Sequence, residues 1–449
     1  MEEQQNAKFI EMTETPVGTL VCRLAVPTMV SMLVTSFYNM ADTFFVGKIN
    51  TSATGAVGVV FSLMAIIQAC GFFFGHGSGN YISKQLGKRD TEEASRMASI
   101  GFFSAFLFGI VFMAAGLVFL EPLARALGST DTILPYAKDY LGIILLGAPF
   151  MTSSLVLNNQ LRFQGNAFYA MIGIATGAVL NIGLDPLFIF VFQMGIKGAA
   201  LATILSQIVS FCLLVAGSFR GENIHISYRK FHPDGAAFLE ILRGGIPSLL
   251  RQGLASVAVI CLNFAAGGYG DEAIAAMSIV NRIMMFAGSA LIGFGQGFQP
   301  VCGFNYGAGL YKRVKDAFYF CVRSSFLFLV VGAVAGWIFA PQIVRVFRKE
   351  DLEVVRIGTT ALRCQCVTFP LMGWVVISNM MLQNIGKVFR ASFLAMARQG
   401  LFFISLIFVL PYFLGLTGIE ITQPIADAIS FLFAVPLQLS VLKELGQNE

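Results

Sequence analysis

Apolar stretches long enough to form membrane-crossing helices recur along the whole chain. Each is broken off by a short run of charged residues, glycine or proline. A helix rises about 1.5 Å per residue, so crossing a hydrocarbon core of about 30 Å takes roughly 20 apolar residues. On that measure the sequence predicts twelve spans. The first six lie near 20–46, 54–83, 95–120, 136–160, 167–192 and 197–219. The second six lie near 238–266, 273–302, 316–340, 353–383, 388–415 and 421–442. The longest polar separator, RGENIHISYRKFHPDG at 220–235, falls near the middle. It predicts an N-terminal six-helix bundle (1–219), a cytoplasmic linker (220–237) and a C-terminal six-helix bundle (238–449).

The two halves resemble each other. A shift of 220 residues lays Pro27 on Pro247, Ala53 on Ala273, Ala56 on Ala276, Gly75 on Gly295, Gly77 on Gly297 and Gly87 on Gly307. After a drift of a few residues, MGIKG (194–198) meets TGIEI (417–421). Six plus six helices in the same orientation are parallel repeats about an axis along the membrane normal. Transporters place their substrate sites between such halves, which rock against each other.

Composition removes the soluble alternatives. The 449 residues are 56% hydrophobic and 12% charged, about half the charge of a soluble domain. Mean hydropathy is +0.74. The net charge of +5 is spread over short loops, so it reads as a topology signal and not as a nucleic-acid surface. Loops on the side of the termini hold Lys84, Lys88, Arg89, Arg96, Arg162, Arg220, Arg229, Lys230, Arg243, Lys312, Arg313, Lys315, Arg323, Lys387, Arg390 and Arg398. The other side holds about half as many, chiefly Arg345, Arg348 and Lys349. This bias puts both termini in the cytoplasm. The eight cysteines lie in or beside apolar runs without metal or redox spacing and read as reduced packing residues. The start, MEEQQNAKFIEMTETP, is acidic and polar, unlike a cleavable signal peptide.

An ionisable side chain at the bilayer centre costs about 2.5–3.5 kcal/mol even on lenient scales, so each one needs a reason. The first half offers Asp42 in FYNMADTFFVG and Asp185 in VLNIGLDPLFIF. Tyr38 precedes Asp42 by four residues and Asn181 precedes Asp185 by four, which puts each pair on one helix face. In the sixth span Thr203 and Gln207 share the same spacing. Two carboxylates, an amide and a hydroxyl form an oxygen-rich set suited to a proton or a small hard cation such as Na⁺. The second half does not copy the acids: Asp42 falls on Leu262 and Asp185 drifts onto Leu410. Its acids Asp316, Glu350, Asp351 and Glu353 sit at span ends or loops, and Asp427 in the last helix is the exception, aligning beside Thr203. Arg251, Arg282 and Arg363 also lie within spans. They read either as snorkelling or carbonyl-packing groups or as partners of an anionic substrate.

Other motifs carry less chemistry. GHGSG (75–79) has no following Lys-Ser/Thr, so it is not a phosphate loop, and its small residues suit close helix packing. His76 corresponds to Gln296 in the repeat, which argues against a metal ligand. Neither HExxH nor G-x-S-x-G occurs, so the chain is not expected to be an enzyme and no cofactor is called for.

LAVPTMVSMLVTSFYNMADTFFVG, NIGLDPLFIF, GIKGAALATILSQ and GFGQGFQPVCGFNYGAGLYKRVK together resemble the multidrug and toxic compound extrusion (MATE) family. The match covers nearly the whole chain, and the last segment looks like the MepA-type exporters of the DinF branch. The resemblance implies an all-α MATE fold of two pseudo-symmetric six-helix bundles in a bacterial or archaeal cytoplasmic membrane, acting as a monomer among lipid. It implies export of cationic amphipathic compounds in exchange for H⁺ or Na⁺. The coupling set it implies is Asp42, Asn181, Asp185 and Thr203, the same residues reached from spacing. Tyr38 and Asn158 match cavity residues, Gln207 joins them one turn from Thr203, and Pro27 matches a first-helix bend point. Another branch uses acids in the seventh and tenth helices. Here Gln252 stands nearby and 354–385 has no mid-span acid, so no second cation site is expected. The competing reading is a flippase for a lipid-linked sugar, for which the three arginines would supply a cationic cavity.

Overall fold

The computed structural model describes residues 2–220, 224–348 and 351–447. Lys349, Glu350 and linker residues 221–223 lie outside them. Among the described residues the chain is all helix and turn, with no strand. In the first half α1 covers Glu2–Glu14, α2 Val17–Gly47, α3 Thr51–Gly87, α4 Thr91–Val118, α5 Leu120–Ala126, α6 Leu134–Phe163, α7 Ala167–Pro186 and α8 Gly195–Ser218. In the second half α9 covers Gly235–Gly267, α10 Asp271–Gly307, α11 Tyr311–Ile338, α12 Ala340–Phe347, α13 Leu352–Thr368 and α14 Met372–Asn384. The chain closes with α15 Val388–Met396, α16 Ser405–Leu414 and α17 Leu416–Gly446.

These elements form twelve helices long and apolar enough to span a bilayer, because α13 runs on into α14 and α15 into α16. They fall where hydropathy put them. Chain breaks use local chemistry: Asn50 caps α3 by accepting from Ala53 N at 2.7 Å, and Asp234 caps α9 by accepting from Ala237 N at 2.7 Å. That cap, with Arg96 beside it, holds the Asp234 carboxyl below the usual carboxylate range.

Three short features escaped the hydropathy reading. Helices α5 and α12 follow the third and ninth spans, start at 120 and 340, and so obey the 220-residue shift. Helix α1 packs across the side that carries the termini. Lys8 Nζ donates to Gly165 O at 3.2 Å, while Asn305 Nδ2 donates to Met12 O at 3.1 Å and Arg313 Nη2 to Thr15 O at 2.7 Å. It thereby touches both bundles.

The bundles meet along two repeat-related seams, α3 against α9 and α10 against α2. GHGSG is the first of them: a Cβ at Gly77 would collide with the Ile241 carbonyl oxygen, and one at Gly297 with Ala25 Cα. Both contacts, and the Gly87–Phe304 and Gly307–Lys84 approaches, lie towards the terminal side. That side is shut. Gly77→Val and Gly297→Val are each expected to lower the unfolding midpoint in detergent, since overpacking costs about 1–3 kcal/mol. An unchanged midpoint would show that the seam yields.

Candidate functional site

Four helices of the first half bring the polar candidates together. Asn181 and Asp185 leave the same face of α7, and both are fully buried. Pro186 then removes a backbone donor, and residues 187–191 continue as a π-helical turn, a distortion often found at functional sites. With its amide nitrogen turned to Asp185, Asn181 donates to Oδ2 at 3.0 Å and its oxygen accepts from Thr203 N at 3.2 Å. The opposite orientation leaves one 3.4 Å contact with Thr203 Oγ1, so the first is preferred. Thr203 Oγ1 donates to Ala199 O at 3.0 Å, which fixes it on α8.

Asp42, from α2, completes the set: its carboxyl is in hydrogen-bond contact with that of Asp185. Each acid also keeps its Oδ1 buried without a hydrogen-bond partner. Bare carboxylates in contact repel, on the order of 4 kcal/mol at an effective dielectric of 20, so a shared proton or cation stabilises such a pair. Tyr38, one turn before Asp42, lies within electrostatic range of both acids. Sequence reasoning missed Tyr140 of α6, which is fully buried and lies beside Thr203 within electrostatic range of both acids. It follows Lys138 and Asp139 at the head of the fourth span, where its hydroxyl reads as part of the polar span end.

The other candidates sit apart from this cluster. Asn158 Nδ2 donates to Ala170 O at 3.0 Å, tying α6 to α7. Asn379 Nδ2 donates to Ala391 O at 2.7 Å, the same bond one repeat later. Gln207 is half-buried on α8 and has no bond to the acids. Pro27 lies inside an unbroken α2, flanked by Thr28, whose Oγ1 donates to Gly293 O of α10 at 2.7 Å.

The second half answers the acid pair with an ion pair. Asp427 is buried and accepts from Arg398 Nε at 2.7 Å and from Gln423 Nε2 at 2.7 Å. Arg398, read above as terminal-side loop charge, instead occupies a π-helical turn at 397–404 inside the eleventh span. Here the protein supplies its own cation. Arg363 is half-buried, packs over the Trp337 ring and donates to Trp337 O at 3.1 Å. Arg282 is exposed, and Arg251 donates to Asn379 Oδ1 at 3.3 Å.

Arg162 departs furthest from expectation. Read as loop charge, it is 1% exposed, because α6 runs on to Phe163 and carries the guanidinium into the seam. Its Nη1 donates to Gln296 of α10, its Nη2 donates to Asn159 Oδ1 at 2.5 Å, and Nη2 lies 3.4 Å from His76 Nε2. The repeat-related pair His76 and Gln296 thus converge on one cation. His76 Nδ1 lies 3.1 Å from Ser248 Oγ, and Gln383 Nε2 donates to Ser248 Oγ at 2.7 Å and to Gly244 O at 2.6 Å. This polar chain stitches α6 and α3 to α10, α9 and α14 on the terminal side. The Gly165-Asn166 turn that ends α6 was the signal that would have placed Arg162 within the helix.

Twelve spans in two repeats, shut on one side and carrying buried acids, define an integral membrane transporter with a MATE fold. A family model described as MatE matches residues 27–187 and 247–409, two copies whose starts stand 220 residues apart. The chain belongs to the MatE family. It is 28% identical over 434 residues to the multidrug export protein MepA of Staphylococcus haemolyticus (strain JCSC1435), covering 96% of this chain and 95% of that one. To the MepA of Staphylococcus aureus (strain MSSA476) it is 27% identical, with 94% and 93% covered. Among solved structures, MATE in complex with MaL6 superposes with a TM-score of 0.93 at 26% identity, covering 98% and 99%. An outward-facing multidrug resistance MATE family transporter of the MOP superfamily gives 0.93 at 26%, covering 98% of both chains. A MOP superfamily transporter from Pyrococcus furiosus, described as having a binding pocket of reverse polarity, gives 0.91 at 26%, covering 97% and 98%.

Proposed function

We propose that this protein exports cationic amphipathic compounds by alternating access, in exchange for H⁺ or Na⁺ bound at Asp42, Asn181, Asp185 and Thr203. The observation that carries this reading is the Asp42–Asp185 contact with two buried, unpartnered carboxylate oxygens. A cation held there offsets the pair's charge and relieves its repulsion; without it, the pair attracts a cationic substrate. The two cannot share the site comfortably, which gives exchange and not cotransport. Phe37, Met40 and Phe44 flank Tyr38 and Asp42 on α2 and are exposed, and such aromatic and thioether surfaces adapt to varied amphiphiles. The names of the staphylococcal relatives agree with multidrug export. On this reading bundles 1–219 and 238–449 rock about the 220–237 linker, both termini are cytoplasmic, and the protein works as a monomer without a cofactor.

A lipid-linked sugar flippase has one observation in its favour, the half-buried Arg251, whose one hydrogen bond among the described residues is to a neutral amide. Against it, Arg363 is engaged by the Trp337 ring and carbonyl, so the three arginines are not assembled around one anion site. Efflux of a fluorescent cation from proteoliposomes, with Na⁺ and pH gradients imposed separately, tests the proposal. At least one gradient is expected to drive efflux, and flux indifferent to both would refute antiport.

A further inference from the structure

A pocket of about 980 Å³ opens on the terminal side, directly beneath the polar chain that stitches the bundles. Gly244 and Gln383 of that chain, with Asn80, line it. Its walls are basic and come from both halves: Lys84 and Lys88 from α3, Arg243 from α9, and Lys387 and Arg390 around the start of α15. Internal partners neutralise only part of this charge. Arg243 holds Glu240 at 2.9 Å, while Lys387 and Arg390 share Glu444 at 2.6 and 2.8 Å. Among the described residues neither Lys84 nor Lys88 has an acid at ion-pair distance, and Arg390 keeps its Nη1 buried with no hydrogen-bond partner. Surplus donors therefore remain in the pocket. Tyr81, Tyr306 and Tyr311 add hydroxyls to the same walls.

We infer that this pocket binds a phosphate-bearing anion that holds the two bundles together on the terminal side. Lysine point charges, with an arginine fork beside them, suit phosphate oxygens. Because the cations come from both bundles, an occupant gains full contact only while the seam is shut and so favours the state closed on this side. The phosphate could belong to a lipid headgroup or to a soluble anion. Phe389, 93% exposed at the pocket wall, suits contact with lipid. The inference does not depend on what is exported.

The test uses the whole protein in phosphatidylcholine nanodiscs, with melting midpoint and a spin-label distance between the terminal-side ends of α3 and α9 as readouts. One arm adds inorganic pyrophosphate; the other replaces part of the lipid with phosphatidylglycerol. At least one arm is expected to raise the midpoint by a few degrees and narrow the distance distribution, and the arm that does so identifies the source. Lys84→Gln, which breaks no ion pair, is expected to blunt the response, and Lys84→Gln with Arg390→Gln to remove it. The double variant Arg229→Gln, Lys230→Gln, which loses equal charge outside the pocket, is expected to respond as wild type does. The inference is overturned if neither arm moves wild type, or if the linker variant loses the response as fully as the pocket variant.

Discussion

Asp42→Asn and Asp185→Asn are each expected to reduce cation-driven efflux about 100- to 1000-fold while the protein still inserts and folds. The change is nearly isosteric, so packing in α2 and α7 survives and the chemistry does not. In wild type the two carboxyls touch, each with an unpartnered oxygen, and about 4 kcal/mol of repulsion separates the bare pair from the neutralised one. That difference is what an incoming H⁺ or Na⁺ can use to bias the transporter. Shifting a two-state equilibrium from 1:99 to 99:1 takes about 5.5 kcal/mol, and one charge crossing 100 mV supplies about 2.3 kcal/mol. An amide at either position leaves a single carboxylate, so the carboxylate–carboxylate repulsion that ion binding would relieve is gone. Proteoliposome efflux, paired with melting midpoint and elution profile, measures this. Wild-type flux from either variant would show that the ion binds elsewhere.

Gln296→Leu is expected to open the terminal side. It leaves the Arg162 guanidinium in the closed seam without its acceptor from the opposite bundle. A hydrogen bond to a charged group contributes about 1.5–3 kcal/mol, so the closed population should fall relative to the open one by a factor of about 10–150. Spin-label distances across the ends of α3 and α9 read this directly. Adding Arg162→Met should restore much of the closed state, because replacing both partners of a buried polar pair by apolar groups is close to neutral. If the double variant is as open as the single one, the seam is held by its backbone contacts at Gly77 and Gly297 and not by Arg162.

The spans, their number and the repeat were legible because hydropathy and glycine spacing are local properties. The acid cluster was legible for a related reason: intervals of four residues put Asn181 beside Asp185 and Tyr38 beside Asp42, and acids in apolar runs announce themselves. What stayed hidden depends on partners distant in sequence. Arg162 looks like a loop charge until α6 is seen to run past it, and Arg398 looks the same until Asp427 faces it across α17. Tyr140 carries no charge and sits beside the span-end charges Lys138 and Asp139, so only packing shows that it lies by Thr203. Helix α1 is amphiphilic and short, and nothing local says that it docks. Charge counting gave the bias between loops but could not separate solvated cations from buried ones.

The docking of α1 has a consequence for the order of assembly. Its partners Asn305 and Arg313 lie near two-thirds of the way along the chain, so α1, made before them, cannot reach its resting place until the eighth and ninth spans have followed it. Bundles fold largely as units during synthesis, the N-terminal one first. Residues 2–14 must therefore wait beside a completed first bundle, held there by Lys8 on Gly165, and engage the second only when α10 and α11 have entered the membrane. A helix made before the first span is thus the clasp fastened only after the ninth has arrived.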